Sequence, residues 1–375
     1  MAYTTIDNSD EAFQILDYTG NGSTSSGISR TFSGSVDLKP GLMFHHKYTS
    51  NNLYNQNIME NEYTGPGTHW LASGGDAVVN DGLCASFDTD GFTHATQNLG
   101  GYYHNQNGES YGVWAWKESG ASNVTNTDGT ITSTVRVNSD IGLSIVNWTG
   151  TSADGTIGHG LGAIPETLWM YPIQVAANNG NTQRPQWWTA NTLDYVMNTG
   201  LNESDIESNT VNGILSADPT GGRGTTSVFT VKAGNSSYEA VNHSSQNYMC
   251  LAWKSIQGFS KFGQYTGNGN ADGSFVYTGF KPALIICKQV AGNTDFRCFD
   301  NNRDPINNNA TGSINFTANM GTELRDSNTL IDFLSNGFKA RCTHSSLNAS
   351  GSKYAFAAFA ENPFVTSTGV PGTAR

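Results

Sequence analysis

The sequence predicts an all-β protein built from three tandem β-sandwich or jelly-roll-like repeats. Short segments such as Tyr111–Trp116, Ser227–Ala233 and Ala283–Val290 are rich in β-branched and aromatic residues and are bounded by turn-forming residues, as strands are. No long apolar stripe of helical period is present, and the best helical candidate, Asn191–Ser208, is interrupted by Gly200. The pentapeptide YTGNG occurs at Tyr18–Gly22 and again at Tyr265–Gly269, which indicates an internal repeat.

Four landmarks recur three times in the same order. Each copy has an opening aromatic residue followed by Thr-Gly, then a proline, a closing tyrosine and a closing aromatic residue. The opening aromatics are Tyr18, Trp148 and Tyr265; the prolines are Pro40, Pro165 and Pro282; the closing tyrosines are Tyr111, Tyr248 and Tyr354; the closing aromatics are Trp116, Trp253 and Phe359. The tyrosine-to-aromatic spacing is the same in all copies, and the aromatic-to-proline spacing is the same in the second and third.

Each copy has the size of one independently folding sandwich. Within each copy we expect the closing aromatic residue to be buried against the strand after the proline. We therefore predict repeat 1 at residues 1–118, a linker at 119–141, repeat 2 at 142–256, repeat 3 at 257–365 and a C-terminal tail at 366–375. Repeat 2 carries an insertion at about residues 178–222. The linker is polar at first and then alternates Ile131, Val135 and Val137, which indicates one strand docked on a neighbour. We refer to the three repeats below as copy one, copy two and copy three.

The repeated pentapeptide is interpreted as a turn. Asn-Gly supplies the positive φ that tight turns need, and no helix follows on which a phosphate would bind. Asp88–Gly91, in the sequence DTDG, resembles the start of a calcium loop but lacks the later oxygen ligands. Since Leu334–Gly337 keeps the Gly-Phe and loses the acids, we expect a hairpin turn at both places.

Composition excludes several classes of function. The net charge is −12 without clustered Lys or Arg, so nucleic acid is excluded as a partner. The longest apolar runs are too short for membrane insertion, and the N-terminus has no secretory signal, which predicts that the chain is made and assembled in the cytoplasm. Five widely spaced cysteines predict buried thiols rather than a disulfide framework, although Cys287 and Cys298 could face each other across a hairpin.

No catalytic or metal site is predicted, and no cofactor. His45 and His46 are adjacent strand residues that face opposite ways, and Gly158–Gly160 is expected to be a loop with one exposed imidazole, that of His159. Glycan hydrolysis needs a carboxylate pair, for which Asp300 and Asp304 are candidates without counterparts in the other copies.

Two aromatic doublets are the candidate contact residues, namely Tyr102 with Tyr103 and Trp187 with Trp188. On a strand, each doublet places at least one large ring outside the core. Exposed rings beside Asn and Gln bind sugars by stacking, and aromatic residues are equally enriched in subunit interfaces. The sequence leaves both roles open.

Several stretches resemble a repeat family of structural proteins from marine tailed phages. They are MAYTTID with the following YTGNGS, WAWKES at Trp114–Ser119, the block Gly258–Pro282, and the end of copy three from Ile331 to Phe364. The resemblance covers about residues 1–365 and implies a non-enzymatic protein of the virion surface, either a tail fibre or receptor-binding component or a head decoration. Other virion proteins are the implied partners, and a host-surface or environmental glycan is a further expected contact. The alternative is a glycan-degrading tailspike-type enzyme.

The resemblance to phage fibres also implies a homo-oligomer, with a trimer favoured. The insertion in copy two supplies the apolar residues that we expect at the contact: Trp187, Trp188, Leu193, Tyr195 and Val196.

Overall fold

A computed structural model gives the fold of the chain. It describes residues 3–23, 27–47, 56–60, 69–71, 84–94, 104–172, 186–189, 199–200, 224–231, 242, 244, 246–290, 294, 297–302, 313–316, 323–326 and 330–371. These residues form strands almost throughout, with a short 3-10 helix at Ser9–Glu11 and one helical turn, α1, at Ser345–Asn348. The all-β prediction is confirmed.

The strands follow one another in chain order. Copy one contains β1 (Phe13–Thr19), β2 (Ile28–Arg30), β3 (Pro40–Lys47), β4 (Gln56–Glu60), β5 (His69–Leu71), β6 (Cys84–Asp88), β7 (Gly91–His94) and β8 (Ser110–Lys117). The next strands are β9 (Val124–Asn126), β10 (Ser133–Asn138), β11 (Leu143–Thr149), β12 (Gly155–Gly158), β13 (Thr167–Pro172), β14 (Gln186–Thr189), β15 (Thr199–Gly200), β16 (Val228–Val231) and β17 (Asn247–Trp253). Copy three contains β18 (Ser260–Thr266), β19 (Phe275–Tyr277), β20 (Phe280–Gln289), β21 (Arg297–Asp300), β22 (Ser313–Phe316), β23 (Glu323–Asp326), β24 (Ile331–Leu334), β25 (Gly337–Ala340) and β26 (Lys353–Pro363).

Each copy contributes one large antiparallel sheet. The strand orders are β1-β8-β3-β4-β5, β15-β14-β13-β17-β11-β10-β9 and β18-β26-β20-β21-β22-β23. In all three, the closing strand of the copy lies between its opening strand and the strand that contains or follows the landmark proline. A small sheet accompanies each large one, with the orders β2-β7-β6, β12-β16 and β19-β25-β24.

The opening aromatic residues occupy the same register position in the three large sheets. Each is paired across the ladder with the closing tyrosine of its own copy and stacks on it: Tyr18 on Tyr111, Trp148 on Tyr248 and Tyr265 on Tyr354. The ring centroids are 5.1, 5.4 and 5.0 Å apart, respectively. Stacked cross-strand pairs of this kind stabilise the ladder in which they lie.

The two faces of the large sheets pack against different partners. In copy two, side chains such as Trp148, Met170 and Cys250 pack on Ile157 and Phe229 of the small sheet. In copy one, Met43 and Val113 belong to a cluster with Phe87 and Phe92 of its small sheet, residues that the alternating strand pattern directs to one side. The opposite faces of all three large sheets contribute to a single further cluster.

The closing aromatic residues of the three copies meet in that shared cluster. Trp116, Trp253 and Phe359 are each 0% exposed. Their ring centroids lie 5.8 Å apart for Trp116 and Trp253, 5.0 Å for Trp116 and Phe359, and 5.4 Å for Trp253 and Phe359. The sequence predicted that each ring would pack within its own copy against the strand after the proline. That contact exists for Trp116, which packs on Phe44 of β3, and for Trp253, which packs on Trp169 of β13. The three rings also pack on one another.

Copy one and copy three close the arrangement by direct contacts. The indole Nε1 of Trp114 donates to the carboxylate of Asp300 at 3.0 Å in a buried hydrogen bond. The backbone N–H of Ser367 donates to Asp7 at 2.6 Å, which joins the start of the described chain to the predicted C-terminal tail. The three copies therefore contact one another in a closed circuit around the shared core.

Part of the predicted linker is an integral part of the second large sheet. Within residues 119–141, β10 pairs with β11 along its full length and β9 pairs with β10. Ile131 and Val135 are buried, whereas Val124 on the edge strand is 58% exposed. The expected docked strand is therefore present as β10. β9 is a further edge strand, which the polar first part of the segment did not indicate because edge strands carry polar residues too.

Candidate functional site

The predicted contact residues lie at the limit of what the structure describes. Trp187 and Trp188 are on β14, where the backbone of Trp187 pairs with Trp169 and that of Trp188 pairs with Leu168. This places the doublet next to β13, on the insertion side of the second large sheet. Tyr102 and Tyr103, the remaining predicted contact residues Leu193, Tyr195 and Val196, and the carboxylate candidate Asp304 lie outside the described residues.

The repeated YTGNG pentapeptide is a corner held by a distant asparagine. In copy one, the N–H of Asn21 donates to Oδ1 of Asn105 at 3.0 Å, and in copy three the N–H of Asn268 donates to Oδ1 of Asn348 at 2.9 Å. In copy two, the N–H of Thr151 donates to Oδ1 of Asn242 at 3.2 Å. We call Asn105, Asn242 and Asn348 the corner asparagines.

Two separate structural constraints explain why the pentapeptide contains glycine at two positions. A Cβ on Gly20 or Gly267 would lie 2.1 or 2.4 Å from a carbonyl oxygen of the corner, so that no side chain fits. Gly22 and Gly269 have φ of +72° and +69°, which favours glycine. The turn interpretation therefore accounts for both glycines of the pentapeptide without a phosphate.

The two predicted hairpins are present. β6 and β7 pair up to Asp88 and Gly91, and β24 and β25 pair up to Leu334 and Gly337. The carboxylate of Asp88 accepts hydrogen bonds from the hydroxyls of Ser86 and Thr93 at 2.6 and 2.7 Å. Through these hydrogen bonds, Asp88 stabilises the hairpin in which it lies.

The carboxylate candidate Asp300 is buried at the contact between copies. It is 3% exposed and accepts the indole hydrogen bond of Trp114. A carboxylate in this position joins copy three to copy one. Among the described residues, no group of three or more His, Cys, Asp or Glu is arranged to hold a metal ion.

Copy one has a polar cluster of three buried histidines in its interior. His45, His94 and His104 are 1%, 0% and 3% exposed, and the rings of His45 and His104 stack at 4.0 Å. Tyr18 donates its hydroxyl to the carbonyl of His104 at 2.6 Å, so the 2.6 Å contact of Tyr18 with Nε2 of His45 requires the imidazole to donate. The guanidinium of Arg30 lies 4.1 Å from the centre of the Tyr18 ring, over its face.

The register of the sheets gives the counterparts of His45 in the other copies. Met170 and Cys287 occupy the same position relative to the closing strand, so copies two and three are apolar or weakly polar there. The prediction that His45 lies on a strand is confirmed. Its membership of a histidine cluster depends on His94 and His104, whose proximity the linear sequence does not reveal.

The prediction of an exposed imidazole at His159 is wrong. The side chain is 0% exposed. Nδ1 accepts a hydrogen bond from the N–H of Leu161 at 3.2 Å, so Nε2 is the nitrogen that donates to the carbonyl of Thr225 at 3.1 Å. Desolvation lowers the pKa of this imidazole below its ordinary value of 6.5. Flanking glycines suggested a loop tip, but Gly158 is the last residue of β12, where a Cβ would lie 1.7 Å from Oδ1 of Asn126.

The cysteines are buried free thiols, as predicted. Cys287 is paired in the ladder with Arg297, and Cys298 with Ile286, so the two thiols are not cross-strand partners. Burial raises the pKa of Cys84 to about 12 and raises that of Cys250 as well. Such thiols are poor nucleophiles at neutral pH.

A cleft opens where copy one meets copy three. Its volume is about 280 Å³, and its lining combines apolar and polar groups. Phe13, Ile15, Ala283 and Ala360 supply the apolar part, while Asp10, Gln14, Ser33, Lys281, Asn301, Asn302 and Glu361 supply the polar part. Contacts between copies are places where small-molecule sites are commonly found.

The copy-three wall of the cleft is built on an ion pair. Lys281 Nζ lies 2.5 Å from Oε2 of Glu361, and the side chains are 9% and 26% exposed. The amide of Asn301 donates to the same carboxylate oxygen. Copy one has the corresponding pair at its own sheet, Lys39 with Glu118, at 2.7 Å.

The copy-one wall is fixed by a buried amide. Gln14 is 4% exposed, and its Nε2 donates to the carbonyls of Asp10 and Val36 at 3.0 and 2.7 Å. Its Oε1 accepts the N–H of Gly34 at 2.9 Å, and a Cβ on Gly34 would lie 2.3 Å from that oxygen. Asp10 in turn accepts two hydrogen bonds from Ser35. The wall is therefore held in place before any ligand arrives.

Sequence reasoning missed the cleft because its two walls are far apart in the chain. The sequence carries only a weak indication of the ion pair between Lys281 and Glu361, namely that a Lys-Pro pair occurs in both copy one and copy three. Nothing in a linear pattern shows that Gln14 and Ser33 lie opposite that pair.

The chain belongs to the family described as a domain of unknown function, DUF7483, which it matches over residues 7–363. The match spans all three copies as one domain. No curated protein shows a significant match. No solved structure does either. Among the residues that the structure describes, no helix is long and apolar enough to span a membrane.

Proposed function

We propose that the chain is a non-enzymatic structural protein of a virion surface, built from three tandem β-sandwich repeats around one shared core. The observation that carries this proposal is the meeting of Trp116, Trp253 and Phe359, with ring centroids 5.0 to 5.8 Å apart. Rings from three copies in one close-packed centre favour a rigid body over three mobile modules.

The repeat part of the proposal is supported by equivalent pairings. The same order of opening, closing and proline strands recurs in the large sheets, and a small sheet lies against each. The stacked pairs of Tyr18, Trp148 and Tyr265 fall at one register position.

The virion part is supported by the resemblance of several sequence stretches to structural proteins of marine tailed phages and by the surface chemistry. Charged residues make up 13% of the chain, and Gly, Asn, Ser and Thr fill most polar positions. Buried free thiols fit assembly in the reducing cytoplasm of a host. The protein would then be a tail fibre or receptor-binding component, or a head decoration.

The homo-oligomer, with a trimer favoured, is part of the same proposal. Its contact would use the insertion side of the second large sheet, where β14 carries Trp187 and Trp188. Light scattering of the wild-type protein and of the Trp187→Ser, Trp188→Ser double variant tests the contact. A shared mass for the two proteins would assign these tryptophans to another role.

The direct test of the function is to locate the protein on purified particles of the phage that encodes it. Gold-labelled antibody should decorate intact particles, at the tail tip for a fibre or over the whole head for a decoration protein. The purified protein should release no reducing ends from host polysaccharide. Absence from particles, or turnover of polysaccharide, would contradict the proposal, and turnover would favour the tailspike-type enzyme.

A further inference from the structure

The cleft lies at the contact between copies one and three, the two copies that are not consecutive in the chain. Copies one and two are joined by residues 119–141, whose strands extend the second large sheet, and copies two and three are joined through Ile256, which packs on the shared core. Copy three reaches copy one only by noncovalent contacts such as Trp114 with Asp300 and Asn302 with Asp17, the latter at 2.7 Å. The polar cleft lies beside these contacts.

The cleft offers hydrogen-bond acceptors that the protein does not use. Glu361 lies on β26, and Asn301 directly follows β21. Both partners of Glu361, Lys281 and Asn301, contact its Oε2. Among the described residues, Oε1 of Glu361 and Oδ1 of Asn301 have no hydrogen-bond partner. Both residues line the cleft, so these acceptors are available to a ligand that donates hydrogen bonds.

The charge of the lining discriminates between ligands. The lining includes two acidic residues, Asp10 and Glu361, and one basic residue, Lys281. The ammonium is already paired at 2.5 Å. An anionic ligand would find a net negative wall without an uncommitted cation, whereas hydroxyl groups can donate to the carboxylates in charge-assisted hydrogen bonds.

The size of the cleft and its apolar residues further limit the kinds of ligand that fit. A volume of about 280 Å³ is at the lower end of small-molecule sites. Ile15, Ala283 and Ala360 supply an apolar side, against which the C–H groups of a sugar ring can pack. The walls are held by Gln14 and by the ion pair, so binding would order few side chains.

From these observations we propose that the cleft binds one neutral sugar residue of a glycan, with hydroxyl groups donating to Glu361 and Asn301. The inference rests on the proposed function, because a protein of the virion surface meets host or environmental glycans. The proposed sugar site is not one of the two aromatic doublets that the sequence indicated as candidate contact residues.

The test uses the full chain and two tyrosine variants from one loop. Ser33 lines the cleft and is exposed, so Ser33→Tyr fills the entrance; Thr31→Tyr is the matched control, because Thr31 is exposed and does not line the cleft. Saturation-transfer NMR is recorded with D-glucose, D-galactose, D-mannose and N-acetyl-D-glucosamine, and with D-glucuronate as the anionic probe. We expect at least one neutral sugar to bind the wild type and Thr31→Tyr. Ser33→Tyr should bind that sugar at least tenfold more weakly, and the wild type should bind D-glucuronate at least tenfold more weakly than the neutral sugar.

A second variant keeps the proposal falsifiable if Ser33→Tyr does not fold. Asn301→Ala removes the acceptor Oδ1 that the proposal assigns to a sugar hydroxyl, so it should weaken binding of the same sugar measurably. The proposal is overturned if no neutral sugar of the panel binds, if neither cleft variant weakens binding, or if binding disappears with EDTA, which would assign the carboxylates to a cation. Antibody labelling of particles is independent of all three results, so failure of the sugar site leaves the virion proposal standing.

Discussion

At the scale of single residues, the corner asparagines explain why the chain repeats a pentapeptide. Asn348 is 0% exposed, and its Nδ2 donates to the side chain of Asn268 and to the carbonyls of Asn270 and Cys342 at 2.8 to 3.0 Å. One amide thus satisfies several polar groups that would otherwise be buried without partners. The sequence predicted the turn at Tyr265–Gly269 but not Asn348, because the two are distant in the chain.

We predict that Asn348→Ala destabilises the protein by about 1–3 kcal/mol, because the buried partners of the amide lose their hydrogen bonds. Asn270→Ala is the matched control. Its exposed side chain accepts one bond, from the N–H of Asp272 at 2.9 Å, and its loss should cost less than about 1 kcal/mol. Urea unfolding measures both, and equal costs would argue against the role of the corner asparagine.

Because the imidazole of His159 is buried, we predict that the stability of the protein depends on pH. The folded state holds the imidazole neutral, and desolvation lowers its pKa below 6.5, so the unfolded chain binds more protons as the pH falls below 6.5. The contribution of His159 to stability is therefore present above pH 6.5 and is lost as the pH falls toward the lower folded-state pKa.

His159→Gln separates this contribution from that of the other histidines. The free energy of unfolding, measured between pH 7.5 and 5.5, should fall less steeply with acidification for the variant than for the wild type. Parallel profiles for the two proteins would show that His159 is not held neutral in the folded state.

At the scale of elements, the sequence predicted strands better than their boundaries. The Asp88–Gly91 and Leu334–Gly337 hairpins are present, because turn chemistry is local. Within residues 119–141, the sequence predicts one docked strand, and β10 is that strand, paired with β11. It does not predict β9, because among the described strands β9 pairs only with β10 and propensity does not reveal that partner.

Two valines of this region give a matched prediction. Val135 on β10 is 6% exposed, so Val135→Ala should cost about 2 kcal/mol in lost burial and cavity formation. Val124 on β9 is 58% exposed, and Val124→Ala should change the free energy of unfolding by no more than about 0.5 kcal/mol. If neither substitution changes the free energy of unfolding, β9 and β10 do not contribute to the stability of the second large sheet.

At the scale of the whole molecule, the three large sheets share one core. The repeated landmarks predicted that Trp116, Trp253 and Phe359 are buried, and they are. They did not predict that the rings pack on one another, because alternation along a strand gives the face of a side chain and not the neighbour of that face. The cleft between copies one and three was missed for the same reason.

Differential scanning calorimetry of the wild type and of Trp116→Ala tests the shared core most directly. A chain of three independent domains would unfold in separable steps, whereas a common core couples the copies. We predict one transition with equal calorimetric and van't Hoff enthalpies, and a loss of about 3–5 kcal/mol in Trp116→Ala that moves the whole transition to lower temperature. Two or more transitions, of which Trp116→Ala shifts only one, would contradict the shared core.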